Sequence, residues 1–153
     1  MAAAGSYVHI EYATAAELVD RLKAGPADPA ARDFVVVDVR DDEREYDGHI
    51  AGSLHFASAE FDDTLPRLWP AIRGKKAVIM HCALSQVRGP SCARKLHRQL
   101  EALASQDKSQ RDAAPELPTI FVLERGFNGW AAGGKPVCRC GDMVCKQSVQ
   151  WPW

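Results

Sequence analysis

One segment of the chain sets a reactive thiol and a fixed cation at a spacing that suits oxyanion chemistry: His81-Cys82-Ala83-Leu84-Ser85-Gln86-Val87-Arg88-Gly89-Pro90. Cys82 is the candidate nucleophile. Arg88 is the candidate clamp, because a planar guanidinium grips two oxygens of a tetrahedral anion where an ammonium acts as a point charge. The intervening Ala83, Leu84, Ser85, Gln86 and Val87 offer successive backbone N–H groups that a tight loop can curl into a cradle. A helix beginning at Gly89-Pro90 would add its positive end. The same field favours the thiolate of Cys82, so nucleophile activation and anion binding come from one loop, and the expected reaction is attack of sulfur on phosphorus, arsenic or sulfur. His81 reads either as a hydrogen-bonding support for the loop or as a satisfied core histidine. No residue between Cys82 and Arg88 is acidic. A proton for an alcohol leaving group must then come from a carboxylate elsewhere, with Asp38, Asp41 and Asp42 as candidates, or from the substrate itself.

A second set of thiols, Cys138-Arg139-Cys140-Gly141-Asp142-Met143-Val144-Cys145, crowds the last sixteen residues. Three close thiolates around a glycine turn suit three corners of a tetrahedral zinc site, with one ligand brought in from the body of the domain. His55 is the expected fourth ligand, ahead of Cys92 and His9. The alternative is an oxidisable tail without metal. Cys92 shares a helical face with Leu96 and Leu100, which marks it as a small core residue.

These groups need elements to hold them. Val8, Ile10 and Tyr12 alternate as in a half-buried strand. Thr14-Ala15-Ala16-Glu17 has capping-box spacing, with Leu18 and Leu22 on one face and Gly25-Pro26 as the stop. The run Phe34-Val35-Val36-Val37 is apolar on both faces until Asp38, as in a central parallel strand. Ala77 to His81 and Thr119 to Leu123 read as further strands, and Gly52 to Phe56 as a shorter one. Leu65, Leu68, Trp69 and Ile72 fit one helical face, as do Cys92, Leu96, Leu100 and Leu103. Alternating strands and helices argue a three-layer α/β domain whose ligands sit at the carboxyl ends of the strands, where the Cys82 loop lies. The polar stretch from Ser105 to Pro118 reads as a surface connection.

Composition sets outer bounds. The chain has 153 residues, a formal net charge of -1, 46% hydrophobic and 25% charged residues. That describes one globular domain, without the basic excess expected of a nucleic-acid partner or the apolar run needed to span a membrane. A cytoplasmic or nuclear location is expected, and the odd count of five cysteines argues against a disulfide framework and for a reducing compartment.

Four segments together resemble a rhodanese-like domain: Asp38-Val39-Arg40, Glu45 to Ser53, the His81-Cys82 loop, and Glu124-Arg125-Gly126-Phe127-Asn128-Gly129-Trp130. The likeness covers residues 7–137, leaving 138–153 as the cysteine-rich tail. It implies a central, mainly parallel five-stranded sheet flanked by helices. The loop from Cys82 to Arg88 is one residue longer than in sulfur-transferring rhodaneses and resembles that of Cdc25-type phosphatases and Acr2 arsenate reductases. This makes a sulfurtransferase the lesser enzyme alternative, while a non-catalytic phosphopeptide-binding module has no use for an intact nucleophile. The nearest likeness is to the small plant proteins of this branch. It implies dephosphorylation of phosphoprotein substrates, reduction of arsenate with glutathione and glutaredoxin, and a zinc-binding tail. It also implies that Asp38 and Arg40 brace the loop structurally, with Glu43 and Glu45 as helix and surface charges.

Overall fold

The computed structural model describes residues 10–107 and 117–152. His9, Val8 and residues 108–116 of the polar connection lie outside the described residues. Five strands form one sheet: β1 (Glu11–Ala13), β2 (Phe34–Asp38), β3 (Leu54–His55), β4 (Ala77–His81) and β5 (Thr119–Leu123), in the order β1-β5-β4-β2-β3. Every pairing is parallel. The helices are α1 (Ala15–Ala24), α2 (Glu43–Asp47), α3 (Phe61–Ile72), α4 (Arg88–Asp107) and α5 (Gly126–Ala132).

The sequence pattern explains the layering. Along β2 and β4 alternate side chains face opposite layers, which is why both strands are apolar up to their last residue. Val37, Val78 and Met80 pack with Phe61, Leu65 and Leu68 of α3 and with Leu96 and Leu100 of α4. Phe34, Val36 and Ile79 pack on the other face with Leu18 and Leu22 of α1 and with Phe127 and Trp130 of α5. The expected capping box starts α1: the Thr14 hydroxyl accepts from Glu17 N at 3.1 Å, and the Glu17 carboxylate accepts from Thr14 N at 2.8 Å. Cys92 is buried among the α3 and α4 apolar residues, and burial pushes its thiol up to about 11, as befits an inert core sulfur.

Register places the chemistry. Asp38 pairs with His81 across β2 and β4, and with His55 across β2 and β3, so the polar ends of three strands meet at one edge of the sheet. Several boundaries differ from expectation: β1 begins at Glu11 rather than including Ile10, and β3 is confined to Leu54–His55. The helix after the nucleophile loop begins at Arg88, with Gly89-Pro90 in its first turn where proline lacks only an N–H that would be unpaired. It continues to Asp107, so the start of the polar connection is helical.

The tail departs further. A segment beyond the last strand is expected to find no sheet, yet it lies along the open edge at β3. His49 and Cys138 form an antiparallel bridge, as do Leu54 and Val144. His55 N donates to Met143 O at 2.8 Å and Cys145 N to Ser53 O at 3.1 Å. The tail thereby satisfies backbone groups that a bare edge strand would leave exposed. Among the described residues no helix is long and apolar enough to cross a membrane.

Candidate active site and thiol cluster

Cys82 follows β4 directly and is buried at the floor of a loop that rises to the exposed Leu84 and Val87. Ser85 N and Gly89 N both point at its sulfur, each 3.2 Å from Sγ. One amide from the loop and one from the first turn of α4 thus converge on a single sulfur. The curl requires Ser85 to adopt a left-handed conformation, φ 56°, and leaves its buried hydroxyl without a partner among the described residues. The loop is tied down from behind: Phe127 N donates to Cys82 O and Asn128 N to Ala83 O, both at 2.9 Å. This close approach needs glycine. At Gly126, φ 57°, a Cβ would stand 2.4 Å from Cys82 O and 2.6 Å from Ala83 O. Gly126 and Phe127 thus shape the nucleophile loop, which their sequence motif did not reveal.

His81 and Asp38 stand behind the loop. The His81 ring, fully buried and kept neutral chiefly by burial, has Nδ1 3.2 Å from Cys82 O and 4.0 Å from Asp38 Oδ1. Facing two acceptors, Nδ1 carries the proton. Asp38 also accepts from Arg40 N, Nε and Nη2 at 3.0, 3.0 and 2.7 Å, and from Arg44 Nη1 at 3.3 Å. Burial opposes its charge, but the Arg40 guanidinium and backbone N–H outweigh that and hold Asp38 well below the usual carboxylate range. A group so firmly ionised cannot donate a proton at neutral pH, which removes Asp38 as the general acid and leaves it as the anchor of a buried charge network.

Arg88 is not the isolated cation its position suggests. Nη1 donates to Asp41 Oδ2 at 3.1 Å and to Glu43 Oε1 at 3.0 Å, and Nη2 donates to Glu43 Oε2. Asp41 is itself held by Ser58 Oγ at 2.8 Å and Ala59 N at 2.9 Å. Asp41 is lowered because bonds from Ala59, Ser58 and Arg88 outweigh its burial; Glu43 is lowered first by its bond from Arg88. Asp41 therefore also fails as a ready proton donor, and Glu43, expected to be a surface charge, belongs to the site. Asp42 is exposed and its side chain makes no capping bond at the start of α2.

The tail thiols converge as expected, but on a different histidine. His49, Cys138, Cys140 and Cys145 place one ligand atom each within 4.8 Å of one another. His49 Nε2 is 3.4 Å from Cys140 Sγ, and Cys145 Sγ is 3.5 Å from Cys140 Sγ and 3.8 Å from Cys138 Sγ. Zinc bonds of about 2.0 to 2.3 Å in tetrahedral geometry need ligand atoms about 3.5 to 3.8 Å apart, so the set fits. His49 is fully buried, and burial and Arg44 lower it to about 4, leaving the neutral ring a metal requires. His55 turns elsewhere, with Nε2 2.6 Å from Arg40 O. The expected fourth ligand is thus corrected: backbone pairing of residue 49 with Cys138 delivers His49, while β3 pairing points His55 toward Arg40. Gly48 admits the tail, since a Cβ there would stand 2.8 Å from Cys138 O.

The family model of the rhodanese-like domain matches residues 14–133. The chain belongs to that family. It is 52% identical over 113 residues to the dual specificity phosphatase Cdc25 of Arabidopsis thaliana, covering 74% of this chain and 72% of that one. It is 50% identical over 137 residues to arsenate reductase 2.2 of Oryza sativa subsp. japonica, covering 90% and 94%. Among solved structures, Saccharomyces cerevisiae Ygr203w, a homologue of single-domain rhodanese and the Cdc25 phosphatase catalytic domain, matches with TM-score 0.61 and 30% identity over 80% of each chain. The As-Sb reductase of Leishmania major, at TM-score 0.59 and 23% identity over 82% of this chain and 80% of that one, shares the fold.

Proposed function

We propose that this rhodanese-like domain is a cysteine-dependent enzyme that reduces arsenate to arsenite and hydrolyses activated phosphate monoesters at the same site. The observation that carries this reading is the sulfur of Cys82 beneath two converging amides, with Arg88 opening α4 beside it. In the reductase direction the Cys82 thiolate attacks arsenic, forming an S–As bond as water leaves with a proton carried by arsenate. Two external thiols, glutathione and then glutaredoxin or a second glutathione, supply the two electrons, releasing arsenite and a disulfide while Cys82 returns as thiolate. In the phosphatase direction Cys82 attacks phosphorus as the ester P–O bond breaks and the aryl oxide leaves, and water then hydrolyses the phosphocysteine to inorganic phosphate and the free Cys82 thiol.

The carboxylates decide between substrates. Asp38, Asp41 and Glu43 are all held ionised, and no acid lies between Cys82 and Arg88. An alkyl alcohol leaving group, as in phosphothreonine, lacks the proton donor that general acid catalysis uses to gain roughly 10²–10⁴-fold. Arsenate brings its own protons, and aryl phosphates leave without much help. The test compares three reactions on one preparation: arsenite formation with glutathione and glutaredoxin, p-nitrophenyl phosphate hydrolysis, and phosphothreonine peptide hydrolysis. The first two are expected, with the third slower by about two orders of magnitude. Absence of both expected reactions would overturn the reading.

The cluster of His49, Cys138, Cys140 and Cys145 would hold zinc as a closed structural site. Bound zinc would tie the tail to the sheet edge, a role remote from the reacting atoms.

A further inference from the structure

Three of the five N–H groups of Arg88 are engaged by Asp41 and Glu43. Glu43 spans the Nη1–Nη2 end of the guanidinium with both oxygens, and Asp41 takes the remaining Nη1 hydrogen. The two hydrogens with no partner among the described residues, on Nε and Nη2, share one edge and are spaced to meet two oxygens of a single tetrahedral anion. Asp41 cannot swing freely, because Ser58 Oγ and Ala59 N hold its carboxylate, and Asp41 N donates to Glu43 Oε1 at 3.1 Å. The pair is a rigid bracket built from the β2–α2 loop and the first turn of α2, gripping a residue at the head of α4.

We propose that Asp41 and Glu43 are positioning residues that hold Arg88 by its outer end, so that its Nε–Nη2 edge is presented to the oxyanion above Cys82. This rests on the reading of the Cys82 loop as an oxyanion site. Its consequence runs against simple electrostatics. Two carboxylates near an anion site should weaken anion binding, and neutralising either should strengthen it. At the partly exposed Arg88, solvent screens that repulsion, while a released side chain regains rotamer freedom that binding must remove again. Orientation therefore outweighs charge.

The experiment measures how tungstate, an unreactive tetrahedral dianion, protects Cys82 from alkylation by iodoacetamide, with the labelled cysteine identified by peptide mass spectrometry. Wild type is protected. In Glu43→Gln and Asp41→Asn the half-protecting tungstate concentration rises about fivefold or more, with the thermal midpoint unchanged. Arg88→Lys raises it about tenfold or more, and adding Glu43→Gln to Arg88→Lys raises it no further, because Glu43 acts through Arg88. Activity follows: with p-nitrophenyl phosphate, Glu43→Gln lowers kcat more than it raises KM, since fork alignment matters most in the transition state. Tungstate binding as tight as wild type or tighter in Glu43→Gln would overturn the proposal, as would additive losses in the double variant. Failure of tungstate to protect wild type would instead overturn the oxyanion reading of the loop.

Discussion

At the scale of single residues the site separates groups that react from groups that are held. On the proposed reading Cys82 and Arg88 meet the reacting oxyanion, whereas Asp38 is locked among Arg40, Arg44 and His81. Asp38→Asn leaves two buried guanidinium groups short of their counter-ion, and a loss of about 3–5 kcal/mol is expected in denaturant unfolding. The pH dependence has a definite sign. The folded-state value of Asp38 lies below its ordinary 3.8, so its contribution is fully present above that value and is lost as pH falls below it. Acid unfolding of wild type should therefore steepen below about pH 4, and Asp38→Asn should flatten that limb. A wild-type acid limb unchanged in the variant would contradict the assignment. The loop that sets Arg88 at the head of α4 after Cys82 was legible in the sequence because Cys-x5-Arg is local. The partners of Arg88 were not, because Asp41 and Glu43 reach it across more than forty residues and resemble ordinary charges at a helix start.

Elements explain which residues meet. Strands β2 and β4, central and apolar on both faces, were readable from their runs, and the capping box of α1 from four letters. The short β3 was foreseen, but not the tail's pairing with it, since a two-residue edge strand carries too little pattern to announce a partner. That pairing is what selects His49 over His55. Arg44 reinforces the contact, with Nη2 donating to Ser53 O at 3.0 Å and Asp142 O at 3.1 Å. Protein purified without chelator should contain about one equivalent of zinc. A Cys138→Ser/Cys140→Ser double variant should lose it, and so should His49→Ala, while His55→Ala should keep it. Retention in His49→Ala would return the fourth ligand to question. The α5 start makes a separate demand on the loop. Gly126→Ala must clear two backbone oxygens from a left-handed conformation, so a loss of roughly 2 kcal/mol or more, together with lowered kcat, is expected from melting and p-nitrophenyl phosphate assays.

Over the whole molecule, charge is balanced rather than concentrated. The net charge of -1 has a local counterpart where Arg88 is offset by two carboxylates, so under the proposed reading anion binding falls to the loop amides and the Nε–Nη2 edge of Arg88. Little long-range steering of an anionic substrate is expected, and kcat/KM for arsenate should change by no more than about threefold between low and physiological salt. A steep decline with salt would point to a positive field that the site does not have. The fold brings these parts together at the carboxyl ends of parallel strands and closes the edge at β3 with the tail, leaving one sulfur under two amides, the atom proposed to react. The most direct test follows arsenite formation with glutathione and glutaredoxin by Cys82→Ser beside wild type and Cys92→Ser. Arsenite formation should fall to the uncatalysed background in Cys82→Ser and persist in Cys92→Ser; reduction surviving in Cys82→Ser would contradict the account.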